Sequence, residues 1–180
     1  ISKLIIKNKS KNIIEFGSGR ATTSQKLLKK FNGKNVNFYA MDNNTKMISY
    51  LKKLPFHIIK GDCFSKSLKL NPRVFDIAFS SGTFEHFKHP KRYIDNISKV
   101  SKKFIISCPA QSFYWKVGTF IRSFTDKESD LWEENTFYYD IKSLKKVFKK
   151  HKNIKIENIK YTYLFGIRMM IVARFKVLNN

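Results

Sequence analysis

Two hydrophobic periods alternate along the chain. Short apolar runs at Asn12 to Phe16, Val36 to Met41, Phe56 to Lys60, Val74 to Phe79 and Phe104 to Ser107 read as strands. Between them lie segments whose apolar residues return every three or four positions. Thr22 to Phe31 turns Leu27, Leu28 and Phe31 inward and stops at Asn32-Gly33. A second helix, capped by Asn43 or Asn44 and carrying Met47, Ile48 and Leu51, runs through Lys53 and breaks at Pro55. A third opens at Pro90 with Tyr93, Ile94, Ile97 and Val100 on one face. A fourth, Ile141 to Lys150, follows Asp140 as its cap and aligns Ile141, Leu144, Val147 and Phe148. The last segments, Ile154 to Leu164 and Ile167 to Phe175, meet near Gly166, and so short a connection demands an antiparallel hairpin. The expected fold is α/β: a doubly wound, mostly parallel seven-stranded sheet with an antiparallel C-terminal hairpin strand and helices on both faces.

The connection from Ala110 to Thr136 is too long and too aromatic for a plain loop. Phe113, Val117, Phe120, Ile121 and Phe124 form one apolar helical stripe, and Tyr114 and Trp115 add aromatic surface beyond it. Two readings stand side by side, a helix packed on the core and a lid that selects the substrate through Phe113 and Phe120.

Chemistry first appears at the end of the first strand. In Asn12 to Thr23, reading NIIEFGSGRATT, Gly17 and Gly19 can take positive φ and let a ligand approach the backbone, while the helix that follows offers free N–H groups. Acids are scarce: the first ninety or so residues hold only Glu15, Asp42, Asp62, Asp76 and Glu85. Glu15, Asp42 and Asp62 each end an apolar run, and Glu85 lies just past another. Ligands of open α/β sheets bind outside the carboxyl ends of the strands, so the carboxylates mark that edge as one that binds hydroxyls and positive charge.

These motifs resemble those of the class I (Rossmann-like) S-adenosylmethionine-dependent methyltransferases, in their small-molecule (type 11-like) branch. Glu15, Gly17, Gly19 and Ala21 match an acid-x-Gly-x-Gly turn with a small residue two positions on, and Ser18 lies within it. The resemblance implies that Asp42, with Asn43 beside it, accepts hydrogen bonds from ribose hydroxyls. It implies that Asp62 meets the adenine amino group and that Cys63 or Phe64 flanks the ring. Phe75 to Phe87, FDIAFSSGTFEHF, corresponds to the fourth motif, with Ser80 at its ligand-facing end and the pair Glu85-His86 after it; Ser107-Cys108-Pro109 matches the end of the fifth strand. The chain departs from the pattern at Arg20, at Ala21 where relatives carry a third glycine, and in lacking the usual Pro-Gly-Gly turn before the fifth strand. The implied activity is in-line methyl transfer from S-adenosyl-L-methionine to a small-molecule acceptor, with His86 as first and Glu85 as second candidate for a base. An RNA methyltransferase and a catalytically silent, methyltransferase-like binding protein are the alternatives.

Composition narrows the setting. With 180 residues, 42% hydrophobic and 15% aromatic, the chain reads as one globular domain, 1–180, and no apolar run approaches the 18 or so residues of a membrane span. Ile1 to Ser10 is too short and lysine-rich for a signal peptide, so the expectation is a soluble, cytoplasmic protein. The chain starts on Ile1, about ten residues before the first strand, and is expected to lack its native N-terminus. The net charge of +23 suggests nucleic acid, but Lys outnumbers Arg roughly five to one and is spread over every helix, the mark of a solvated basic surface. Nucleic acid remains possible as a partner, and the oligomeric state is open. Cys63 and Cys108 lie in no metal-binding spacing and read as small buried residues; no metal is expected, and His86 and His89 read as pocket wall or helix start.

Overall fold

The computed structural model describes residues 1, 5, 10–31, 35–110, 137, 139–164 and 167–178. The aromatic stripe with Phe113 and Phe120, and the expected turns at Asn32-Gly33 and Gly166, lie outside the described residues.

Strands β1 (Asn12–Phe16), β2 (Asn37–Asp42), β3 (His57–Lys60), β4 (Ile77–Ser81), β5 (Lys103–Pro109), β6 (Ile154–Leu164) and β7 (Ile167–Val177) form one sheet in the order β3-β2-β1-β4-β5-β7-β6. All neighbouring pairs from β3 to β5 are parallel, and β7 runs antiparallel to both β5 and β6. The chain reverses its order of strand addition after β1: β2 and β3 build to one side and β4 and β5 to the other, which opens a crevice at the carboxyl ends of β1 and β4.

Period-two alternation sends consecutive strand residues to opposite faces. Ile13, Phe38, Ile77 and Phe79 pack beneath α1 (Thr22–Phe31), with Leu27 and Phe31, and Ile5 is fully buried in the same cluster. Ala40 and Ala21 receive Ile48 and Leu51 of α2 (Thr45–Leu51). Ile14, Phe16, Ala78, Phe104 and Ile106 face the other way, against Tyr93, Ile94 and Ile97 of α3 (Lys91–Val100) and Leu144 and Phe148 of α4 (Ile141–Lys149). Phe148 lies 4.0 Å from Phe175 between ring centroids and 6.0 Å from Phe84, which ties α4 to β7 and to the segment after β4.

Helix starts follow local chemistry. Asn44 accepts from the N–H groups of Lys46 and Met47, and Asp140 with Ser143 closes a reciprocal capping box on α4. The strand expected at Val74 to Phe79 begins later, at Ile77. The Asp76 carboxylate accepts the N–H groups of Lys11 and Asn12 at 2.7 and 2.8 Å, so the residues before Ile77 serve as a lateral anchor for β1. Phe75 makes only an isolated bridge to Ser101.

Candidate functional site

The turn after β1 is shaped by three residues in the left-handed region: Gly17 at φ +62°, Gly19 at +52° and Ala21 at +50°. Ser18 donates its N–H to the Met41 carbonyl at 2.9 Å, and Ala21 donates to Ser18 at 2.7 Å, so the turn is clamped to the end of β2. A Cβ on Gly17 would stand 2.3 Å from Thr83 Cγ2, whose hydroxyl donates to the Gly17 carbonyl at 3.0 Å. A Cβ on Gly19 would meet no atom within 4 Å and would extend into open space. Glycine at 17 makes room for the protein itself, and glycine at 19 leaves room for something else.

Asp42 receives this turn. Its Oδ2 accepts the Gly19 N–H at 2.7 Å and its Oδ1 the Asn44 N–H at 2.9 Å, which aims the carboxylate while leaving each oxygen a further lone pair. After β3, the Gly61 N–H donates to the Asp42 carbonyl, and the Asp62 carboxylate accepts the N–H of Phe64 at 2.8 Å. The Asn96 amide, from α3, donates to the carbonyls of Cys63 and Ser65 at 2.9 and 3.0 Å and fastens this loop to the sheet.

The third contributor follows β4. Gly82 takes φ +76°, and a single 3₁₀ turn, Phe84–His86, buries Phe84 and Glu85 while presenting His86. Phe87 stacks on Phe64 at 4.8 Å, the Arg92 guanidinium lies over the outer Phe64 ring at 5.8 Å, and the Tyr139 hydroxyl donates to the Phe87 carbonyl at 3.0 Å. Half-burial holds His86 below its ordinary pKa, opposed by a hydrogen bond to the Gly82 backbone. Burial thus favours the neutral imidazole.

Together these segments enclose a cleft of about 410 Å³, within the range of small-molecule sites. Of the residues expected from sequence, Gly17, Ser18, Gly19, Asp42, Asn43, Asp62, Cys63 and His86 line it. Four others stand outside that lining. Glu15 is buried in the protein, where its Oε2 accepts the Ser24 hydroxyl at 2.6 Å; burial pushes it up to about 7 against that bond, so it anchors the start of α1. Glu85 is also buried, pushed up to about 7, with Oε1 3.6 Å from where a Gly82 Cβ would stand. Ser80 is fully buried because strand alternation turns it away from the cleft. Phe64 supports the wall through Phe87 rather than forming it. Phe113 and Phe120 lie outside the described residues.

Asn44, Met47, Ser81, Gly82, Thr83 and Phe87 also line the cleft and were not singled out from sequence. A glycine directly after a strand, Gly82, was the available signal. Cys63 and Cys108 are free buried thiols; burial pushes Cys63 up to about 12 and Cys108 higher still. Among the described residues, no three His, Cys, Asp or Glu side chains converge as a metal site, and no helix is long and apolar enough to cross a membrane.

Comparison with known proteins supplies the family. The profile of a methyltransferase-domain family matches residues 1–152. Sequence search against curated proteins gives no match. Among solved structures, a SAM dependent methyltransferase from Aquifex aeolicus is 14% identical, with a TM-score of 0.69 over 98% of this chain and 88% of its own. The plantazolicin methyltransferase BpumL, solved with a triazolic desmethylPZN analogue and SAH, is 12% identical, with a TM-score of 0.73 over 99% of this chain and 81% of its own. Magnesium protoporphyrin IX methyltransferase (ChlM) from Synechocystis PCC 6803, solved with SAH, is 12% identical, with a TM-score of 0.69 over 99% and 80%. The chain thus belongs to the methyltransferase-domain family and has the Rossmann-like fold of the class I methyltransferases.

Proposed function

We propose that the enzyme methylates a small-molecule acceptor that reaches the cleft from the side of His86 and Phe87. The reading rests chiefly on one observation: the same cleft is bounded by Asp42, Asn43 and Asp62 on one side and by Ser81, Thr83, His86 and Phe87 on the other. The first group fits the cofactor. Asp42 keeps lone pairs for ribose hydroxyls, Asp62 offers a carboxylate for an amino group, and Met47 and Cys63 give apolar surface for a ring. The Ser18 hydroxyl is buried with no hydrogen-bond partner among the described residues, and Gly19 has open space where a side chain would be.

When bound, S-adenosylmethionine supplies an electrophilic methyl group on a sulfonium, and displacement in line with that bond neutralises charge. The protein's task is mainly orientation. Gly19 lets the cofactor approach the backbone, Asp42 and Asn43 fix one end, and the Phe64-Phe87 stack stiffens the acceptor wall. Neutral His86 takes the proton from an acceptor that arrives protonated. Glu85, buried behind Gly82, stands back from the acceptor. The desmethylPZN analogue bound to the plantazolicin enzyme and the magnesium protoporphyrin IX for which the other is named support the choice of substrate class.

The test has two arms. Asp42→Asn replaces one acceptor oxygen by a donor and should weaken SAH binding by roughly 10- to 150-fold for each charged hydrogen bond lost, at about 1.5–3 kcal/mol per bond. His86→Gln should leave SAH affinity within about twofold while lowering kcat. Methyl transfer from radiolabelled cofactor is then followed with a panel of apolar and aromatic small molecules and with RNA transcripts. Label entering RNA alone would overturn the small-molecule reading, and unchanged SAH affinity in Asp42→Asn would overturn the cofactor contacts.

A further inference from the structure

The segment that walls the cleft has a second side. Thr83, His86 and Phe87 face the cofactor site, and Lys88, His89, Pro90 and Lys91 continue into a separate cavity of about 340 Å³, closed on its far side by Val147, Lys150 and His151 at the end of α4. We propose that this cavity is a binding site for a small phosphate-bearing anion, either free phosphate or the phosphoryl group of a phosphorylated metabolite.

The charge arrangement carries the inference. Among the described residues, three lysines and two histidines line the cavity and no carboxylate does. Asp95, beside two of these residues, stands outside the lining. It pairs with Lys91 at 2.6 Å and lies 3.6 Å from His151 Nδ1, while neither Lys88 nor Lys150 has an ion pair among the described residues. Like charges gathered around a concave space build a positive potential there, which an anion sharing the space relieves. The backbone adds to the same potential. α3 has ten residues, and Pro90 at its N-cap gives the first-turn N–H groups no side-chain acceptor, so the positive end of the helix borders the cavity between Lys88 and Lys91. A phosphate oxygen is the acceptor that satisfies ammonium groups and free N–H groups at once. The volume suits a phosphate with one attached group and is far too small for a folded nucleic acid.

His151 makes the site measurable. Its ring is held below its ordinary pKa, first by burial and further by Lys91, against the pull of Asp95. The groups facing it are Asp95 and Lys91 from α3, Lys150 from α4, and Lys88 and His89 from the approach to α3. An anion among them favours the protonated ring. Inorganic phosphate is titrated into the intact protein at constant ionic strength, with histidine ring signals followed by NMR. His151 should respond saturably and its pKa should rise by roughly half a unit to one unit. His57, stacked on Tyr39 beside the opposite edge of the sheet, is the internal control. The double variant Lys88→Gln, Lys150→Gln should fold and bind SAH normally while weakening phosphate by about tenfold or more. Ribose 5-phosphate separates the two sources: tighter binding than inorganic phosphate assigns a phosphorylated metabolite, and equal binding assigns the free ion. A His151 response no larger than that of His57, or an unaltered titration in the folded double variant, overturns the proposal.

Discussion

Gly17→Ala is the sharpest test of how the turn after β1 is built. Two separate penalties fall on one methyl group. At φ +62° an L-residue is about 1–2 kcal/mol less stable than glycine. The new Cβ would also stand 2.3 Å from Thr83 Cγ2 and 2.7 Å from its Oγ1, well inside contact distance, and such overpacking typically costs about 1–3 kcal/mol. If Thr83 moves aside, its hydrogen bonds to the carbonyls of Gly17 and Phe16 go with it, at about 0.5–1.5 kcal/mol each. The expected loss is about 3–5 kcal/mol of unfolding free energy, measured by denaturant titration. In a Thr83→Ala background the same substitution loses the contacts with Cγ2 and Oγ1 and keeps the one with Cβ at 3.1 Å, and its effect should shrink toward the backbone penalty. The coupling between the two sites should therefore exceed about 1 kcal/mol. Equal effects of Gly17→Ala in both backgrounds would show that the clash with Thr83 is not what excludes a side chain there.

Ala21→Gly should be nearly neutral, within about 1 kcal/mol in denaturant unfolding, because relief of the positive φ is offset by a lost buried methyl and by glycine's greater unfolded-state freedom. Asn96→Ala removes two donors from the Cys63–Ser65 loop and should cost about 1–3 kcal/mol, with a several-fold loss of SAH affinity by calorimetry as Asp62 loosens. Glu15 has a folded pKa raised from 4.5 to about 7, so the native state binds more protons than the unfolded chain between those values. Its contribution is complete below pH 4.5 and lost as pH rises through 7, with a slope up to about 1.4 kcal/mol per pH unit. Thermal melts of Glu15→Gln should show a shallower decline from pH 5 to 8 than the wild type, and matching declines would refute the assignment.

The strands and helices were legible because nearly every one shows its period without help from the rest of the chain. β1 and α1 lie where the pattern of Ile13, Ile14, Leu27 and Phe31 puts them, and Asp140 caps α4 as its position before Ile141 suggests. β4 was misplaced because Val74 and Phe75 look like strand while Asp76, whose carboxylate anchors β1, decides where pairing begins. At the site, residues whose role is set by the backbone were found: Gly17, Gly19 and the acid ending β2. Depth was less visible. Glu15 and Glu85 sit at positions that suggest ligand contact, yet sequence cannot register that Ser24 reaches back to one or that a 3₁₀ turn buries the other. Asn96 and Thr83 come from distant parts of the chain, and only the folded geometry brings them to the loops they hold.

The place of β7 between β5 and β6 bears on how the chain emerges during synthesis. The strands from β1 to β5 can pair as they leave the ribosome, and until β7 follows, β5 is their outer edge. That edge carries Phe104, Ile105, Ile106 and Cys108, all destined for full burial, beside a row of unpaired N–H and C=O groups. Such an edge invites pairing with another nascent chain. The hairpin that closes the sheet seals it from Lys103 to Pro109 with the stretch from Lys176 back to Met170, and on the finished molecule the outer edge is β6. Lys155 and Lys160 stand exposed there, charges of the kind that keep a free strand from recruiting a second copy.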